Sequence, residues 1–332
     1  MRLGLAGTGR IGARHAEILH RIGEVDSLVL ADADAARARD LAAGLGAEFA
    51  ADLDDLFGSG IDGLVVAAAT DAHPKLILRA VAAGIPVFCE KPVAGDVAGT
   101  LEVLDRIRDT GVQVQIGFQR RFDAGYTAAR EAVRAGSLGR VHTLRATTLD
   151  PAPPPAEYIP RSGGLFRDCG VHDYDIIRWV TGREIVEVYA LGTNRGAEFF
   201  AAAGDVDTGA AVLTLDDDTL ALTSAGRYNG AGYDVRLEVL GSRGSLAAGL
   251  DERLPVRSAE PGVCWPPGPA HPGFLQRFHA AYVRELEVFV DVVAGRAASP
   301  CTVSDALEAC YVAEACELSR HRRRPVRLAE VR

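Results

Sequence analysis

The chain contains no C-x-x-C pair, no apolar run approaching the length of a membrane span, and no excess of basic charge. Each absence removes a class of protein. The six cysteines, at positions 89, 169, 264, 301, 310 and 316, lack metal-ligand spacing and mostly have apolar neighbours. Reduced, buried thiols of a cytoplasmic protein are therefore expected, and no metal. Without about 20 consecutive apolar residues no membrane span is expected. A strand pattern that begins at Arg2 leaves no room for a signal peptide. The formal charge of −9 argues against a nucleic-acid partner, because a phosphate backbone demands clustered cations. The one basic run, Arg320 to Arg324, closes a helical pattern, where cations complement the helix dipole.

What is present is enough for two domains. The 332 residues are 48% hydrophobic, and their patterning changes near residue 119. The first part alternates strand and helix, and Gly63 to Ala69 is an unbroken apolar run of the kind found in parallel strands covered on both faces. Repeated β-α units predict a doubly wound parallel sheet of the Rossmann type over residues 1–119. Residues 120–332 read as an α+β domain with an open, mainly antiparallel sheet. Its strand-like segments lie near 140–148, 184–192, 207–215, 218–226, 234–240 and 245–248. Helices are expected at 122–135, 172–181, 275–294 and 302–319, with proline-rich loops after Asp150 and over 255–273.

Gly7-Thr8-Gly9-Arg10-Ile11-Gly12 fits G-x-G-x-x-G between a strand and a helix. The first glycine permits the tight turn, the second admits a pyrophosphate, and the third lets helix and strand approach. Unpaired N–H groups at the helix start suit the phosphates. Asp32 ends the second strand and can accept from both adenosine ribose hydroxyls while repelling a 2′-phosphate, which favours NAD over NADP. Thr70 and His73 follow the third apolar strand at the ligand edge of the sheet and are further cofactor candidates; His73 equally reads as the opening of the next helix.

Glu90-Lys91-Pro92 follows another strand of that sheet. A lysine at the carboxyl end of a parallel strand can polarise an alcohol oxygen, and Glu90 can hold its ammonium. Downstream, Asp168, His172 and Asp175 project from one face if the stretch is helical, so a carboxylate can orient the imidazole that takes a hydroxyl proton. An Asp N-cap with an ordinary helix histidine reads the same spacing. Gly163-Gly164 just upstream allows close approach of backbone to substrate.

These residues resemble the glucose-fructose oxidoreductase / inositol dehydrogenase / MocA family over essentially the whole chain. The likeness rests on the glycine motif, Glu90-Lys91-Pro92, Gly117 to Asp123, and Gly163 to Asp175. Arg-Arg-Phe-Asp at 120–123 and the run Arg227 to Asp234 resemble the inositol 2-dehydrogenases most. The resemblance implies an NAD-dependent oxidation of a secondary ring hydroxyl of a cyclic polyol or sugar, myo-inositol or a close relative. Lys91, His172 and Asp168 would be catalytic. Gln119 would lie near the cofactor, and Arg121, Asp175 and Tyr233 near the polyol. The sheet of the second domain would mediate a homodimer or homotetramer. Two departures bear on the substrate: Asp150 stands where inositol dehydrogenases commonly have Asn, and Cys169 replaces the more usual Thr or Met. Another sugar, an anhydrosugar or an aminocyclitol stays open as substrate, as does a non-catalytic NAD-binding regulator.

Overall fold

The computed structural model describes all residues from Met1 to Arg332. In chain order the first elements are β1 (Arg2–Ala6), α1 (Arg10–Leu19), β2 (Ser27–Ala31), α2 (Ala35–Leu45), β3 (Glu48–Phe49) and α3 (Leu53–Gly58). Then come β4 (Gly63–Val66), α4 (His73–Ala82), β5 (Val87–Glu90), α5 (Val97–Ile107) and β6 (Val114–Gly117). There follow α6 (Ala124–Arg134), β7 (Val141–Leu149), α7 (Val171–Thr181), β8 (Ile185–Thr193), α8 (Glu198–Ala202), β9 (Thr208–Leu215) and β10 (Leu220–Gly226). The chain closes with β11 (Asp234–Gly241), β12 (Ser245–Ala248), α9 (Phe274–Arg277), α10 (His279–Val293), α11 (Val303–Arg322) and β13 (Val326–Arg327).

One compact unit comprises Met1–Gln119 with Ala280–Leu307. Its sheet has the order β3-β2-β1-β4-β5-β6 with every pair parallel. All four residues of β4 are buried, as an apolar strand covered on both faces requires. Asp34, Asp52 and Asp96 start α2, α3 and α5 by accepting backbone N–H groups of the first turn. The C-terminal stretch joins this unit through specific contacts. Phe289 of α10 packs on Phe88 with ring centroids 5.8 Å apart, and the Ile116 N–H donates to the Cys301 carbonyl at 2.8 Å.

The other unit comprises Arg120–His279 with Glu308–Arg332. Its seven-stranded sheet has the order β12-β11-β7-β10-β9-β8-β13. All of its pairs are antiparallel except β7 with β10, which run parallel with Leu149 opposite Gly226. Inward positions such as Leu144, Ala146, Leu213 and Leu237 are buried, while Tyr189, Val212 and Leu222 form an exposed row across three strands.

Three details differ from the sequence expectation. The helix expected over 275–294 is broken at Phe278, whose backbone leaves the helical region at φ −106° and ψ 18°. Its fully buried ring lies under the Arg277 guanidinium, 4.6 Å from the centroid. The short β3, α3, α8 and β13 carry too few residues for a periodic signal. Cys264 is exposed, not buried, because it lies in the irregular loop before α9; all six cysteines are free thiols. No helix is long and apolar enough to cross a membrane.

Candidate active site

The glycine loop between β1 and α1 is shaped for a dinucleotide. Gly7 has φ +101°, and a Cβ there would lie 2.4 Å from the Ala68 nitrogen. A Cβ on Gly12 would lie 1.8 Å from the Gly7 carbonyl oxygen, so this helix turn can approach the loop only as glycine. Gly9 is different: a Cβ there meets nothing nearer than Arg37 at 4.0 Å, which leaves space where a pyrophosphate would lie. Gly9 also opens α1 with no side-chain cap, and an uncapped helix start suits an anion. The residues therefore fit the cofactor.

Asp32 follows β2 directly. The Thr8 N–H and hydroxyl donate to its Oδ2 at 2.5 and 2.9 Å, and the Asp34 N–H donates to its Oδ1 at 2.8 Å. Burial pushes this carboxyl up, but the donors from Thr8 and Asp34 outweigh it and hold the group below its ordinary value. It is a fixed carboxylate at the end of the second strand.

Thr70 opens a 3₁₀ turn after β4, and α4 starts at His73. His73, read from the sequence either as a cofactor candidate or as the opening of a helix, does open α4. Its ring is buried, with Nδ1 2.7 Å from the Pro92 carbonyl and Nε2 3.0 Å from the Ala68 carbonyl. The ring thus sits between the loop after β4 and the loop that carries Lys91, and the nitrogen that bears the proton donates to its carbonyl. Lys91 itself is half-buried, directly after β5, and its peptide bond to Pro92 is cis. Glu90, the last residue of β5, accepts from the buried His15 ring of α1 at 2.7 Å. Gln119 is buried just past β6.

In the second unit, Asp168 does not lie on the expected run of α-helix. Phe166–Gly170 forms a wide π turn that leads straight into α7, a local irregularity common at functional sites. Asp168 and Asp175 meet different arginines. The buried Arg227 guanidinium donates to Asp168 Oδ2 at 2.6 Å and to Asp150 Oδ2 at 3.0 Å, and the Tyr158 hydroxyl donates to Asp168 Oδ1 at 3.1 Å. The Cys169 thiol lies 3.8 Å from Asp150 Oδ2. His172 sits half-buried in the first turn of α7. Burial pushes the Asp150 carboxyl up; Arg227 opposes this and the charge of Asp168 reinforces it.

Arg121 and Asp175, both expected at the polyol, are buried against each other in a two-point ion pair. The arginine of this pair turns inward to meet a carboxylate of α7. Arg120 does the same with Asp173, and Thr148 bonds both partners. Tyr233 is buried. Its phenol is pushed up by burial, with Arg120 opposing and Asp150 adding, which sets it among the same charges. Arg227, Tyr158 and Asp173 are the residues that sequence reasoning missed as site builders. The signal available for Arg227 was its place at the end of a predicted strand.

The first unit carries a sheet edge shaped for a dinucleotide, the mark of a nucleotide-dependent enzyme, and the second carries a cluster of carboxylates around Arg227. Residues 1–118 match the oxidoreductase family with NAD-binding Rossmann fold, and residues 126–247 match the GFO/IDH/MocA C-terminal domain. The chain belongs to the Gfo/Idh/MocA oxidoreductase family.

Several of its relatives are named as inositol dehydrogenases. It is 42% identical over 323 residues to a myo-inositol dehydrogenase of Streptomyces leeuwenhoekii, covering 96% of this chain and 97% of the relative. It is 36% identical over 337 residues to the myo-inositol 2-dehydrogenase of Thermotoga maritima, covering 100% and 99%. Among solved structures, a scyllo-inositol dehydrogenase of Lactobacillus casei with bound NAD(H) and scyllo-inositol superposes with a TM-score of 0.88 at 31% identity. That match covers 99% of both chains.

Proposed function

We propose that the protein is an NAD-dependent dehydrogenase that oxidises one secondary ring hydroxyl of a cyclic polyol, myo-inositol or a close relative, to the ketone. The observation that carries this reading is the Arg227-held Asp168 one π turn ahead of His172. A carboxylate with both oxygens engaged is a rigid acceptor, and a rigid acceptor beside an imidazole suits an alcohol that must be oriented and then deprotonated.

The bound nicotinamide supplies the hydride acceptor. Lys91 polarises the reacting oxygen, and His172 takes the hydroxyl proton as the C–H electron pair leaves with the hydride. Asp168 orients the ring, with Asp150, Cys169 and Tyr233 around it. Asp32 accepts from the adenosine ribose and, as a carboxylate, disfavours a 2′-phosphate, so NAD is preferred over NADP. Free cysteines and the lack of a membrane-length helix support a cytoplasmic setting. The exposed Tyr189–Val212–Leu222 row supports a homodimer or homotetramer in which a second copy covers that face; light scattering on purified protein tests it.

The test of the function is a panel of myo-inositol, scyllo-inositol, other cyclitols and pyranoses with NAD, read at the reduced-nicotinamide absorbance. Turnover is expected with an inositol. Turnover of pyranoses alone, or of nothing, overturns the reading.

A further inference from the structure

The parallel sheet of the first unit carries polar side chains on a face where apolar ones are the rule. Phe88 of β5 stands opposite Gln115 of β6, and Glu90 opposite Gly117, so these four positions share one face. Gly117 leaves the room that the Glu90 carboxyl occupies: a Cβ there would lie 3.1 Å from Glu90 Oε2. α10 covers this face, with Phe289 packed on Phe88. The Gln115 Nε2 donates to the Glu285 carbonyl at 3.1 Å, which seats that turn of α10 over β6. Tyr282, Glu285 and Phe289 follow the i, i+3, i+7 spacing of one helix stripe. From α1, the His15 ring packs on Phe88 and Tyr282, with centroids 5.4 and 5.7 Å away, and its Nε2 lies 2.7 Å from Glu90 Oε1. His15, Gln115 and Glu285 are wholly buried.

This cluster is short of donors. The Glu285 carbonyl fixes the Gln115 amide, because turning it over would set two oxygens against each other. Gln115 Oε1 and both carboxyl oxygens of Glu285 are then buried acceptors that meet no donor, and His15 Nδ1 has no partner either. A neutral His15 that gives its one N–H to Glu90 adds another acceptor to the count.

We propose that Glu285 is the missing donor and a positioning residue: its carboxyl proton goes to the Glu90 carboxylate, and the series His15–Glu90–Glu285 holds the end of β5 one residue before Lys91. For its effect on turnover the proposal rests on the dehydrogenase reading above, which gives the lysine its role.

One proton turns an acceptor into a donor and satisfies an atom on each carboxyl, whereas two bare carboxylates in a desolvated place repel. The upward push that burial and the charge of Glu90 exert on the Glu285 carboxyl agrees with this count. The titratable groups that face the cluster are His15 from α1, Glu90 from β5 and Tyr282 on α10 itself. Gripped by His15 on one side and Glu285 on the other, Glu90 ties α1 and α10 to the strand that delivers Lys91. Glu285 does this without touching substrate or cofactor.

Infrared difference spectra between wild type and Glu285→Gln at neutral pH read the donor directly. The C=O stretch of a protonated carboxyl group is expected in wild type and not in the variant; its absence from wild type overturns the proposal. Turnover of myo-inositol with NAD then compares Glu285→Gln, which keeps a neutral donor of the same shape, with Glu285→Leu, which offers none. In Glu285→Leu kcat should fall roughly tenfold, the worth of one hydrogen bond to a charged group, with NAD affinity retained in fluorescence titration. In Glu285→Gln it should stay within about threefold of wild type, since the donor survives. Equal losses in the two variants, or wild-type kcat in Glu285→Leu, overturn the positioning role.

If Glu285→Leu does not fold, the infrared comparison and the turnover of Glu285→Gln decide the matter. A wild-type enzyme inactive on every cyclitol would defeat the dehydrogenase reading instead. The infrared comparison needs no turnover and would still decide whether Glu285 is the donor.

Discussion

Arg121 and Asp175 are joined by two parallel hydrogen bonds, Nε to Oδ2 at 2.9 Å and Nη2 to Oδ1 at 2.5 Å, with both side chains withdrawn from solvent. The fork fixes the orientation of α7, and with it the first helical turn that carries His172. Each ion was desolvated at a cost of several kcal/mol that the pairing helps to offset.

Breaking that pair should therefore be expensive. Asp175→Asn removes the carboxylate charge from the face of a buried guanidinium and should destabilise the protein by about 3–5 kcal/mol in urea unfolding. Replacing both partners by apolar residues of similar volume should recover most of the loss. A single variant within about 1 kcal/mol of wild type would assign the pair no structural weight.

Glu285 on α10 is wholly buried, and neither carboxyl oxygen has a hydrogen-bond partner in the protein. Burial first, and the charge of Glu90 second, push it well above the ordinary carboxylate range. Glu90 is in turn bonded to His15, which packs on Phe88 and Tyr282. A folded-state pKa above the unfolded value means that the native state binds the extra proton. The associated stability is fully present below about 4.3 and is lost as pH rises toward the folded value. Glu285→Gln keeps the neutral shape and removes the titration. Thermal midpoints of wild type should fall relative to the variant as pH rises above about 4.3, with the variant the more stable at the alkaline end by a few degrees, roughly 2–4 °C per kcal/mol for a domain of this size. Parallel curves for the two proteins would contradict the assignment.

The parallel sheet and the glycine turn were legible because each rests on local chemistry: an apolar run, a strand-to-helix glycine motif, an aspartate at a strand end. The place of Lys91 directly after a strand of that sheet was legible for the same reason. The partnerships were not. Nothing in the spacing of Asp168, His172 and Asp175 shows that a π turn intervenes, or that Asp175 turns to Arg121 while Asp168 turns to Arg227. His73 read as a ligand candidate because its position at a sheet edge is visible, whereas the two carbonyls beside its ring nitrogens come from Ala68 and from Pro92, 19 residues away.

Asp32 is held ready by donors from Thr8 and Asp34, so its loss should act on cofactor choice. Asp32→Ala should raise the KM for NAD roughly tenfold or more, the equivalent of one charge-assisted hydrogen bond, while narrowing the gap to NADP. Dissociation constants for both cofactors, from fluorescence titration, check this; an unchanged preference would remove Asp32 from cofactor discrimination.

Lys91→Met should lower kcat by a factor of about 10²–10⁴, the usual range for a proton-handling or polarising side chain, with NAD still bound. Steady-state turnover beside a cofactor titration separates the two effects. Turnover within a few-fold of wild type would sink the role given to the lysine.

The parallel pairing of β7 with β10 has a further consequence, for folding order and for engineering. A parallel neighbour cannot be reached by a hairpin, so Asp150 and Arg227 meet across 77 residues of chain that include α7, β8 and β9. Contacts of such long range are among the slower kinds to form. Strand register, not loop conformation, keeps Asp150 and Arg227 together. The loops that leave these two strand ends, 151–165 and 228–233, are accordingly the segments to exchange between relatives when substrate range is to be changed with Asp150 and Arg227 left standing.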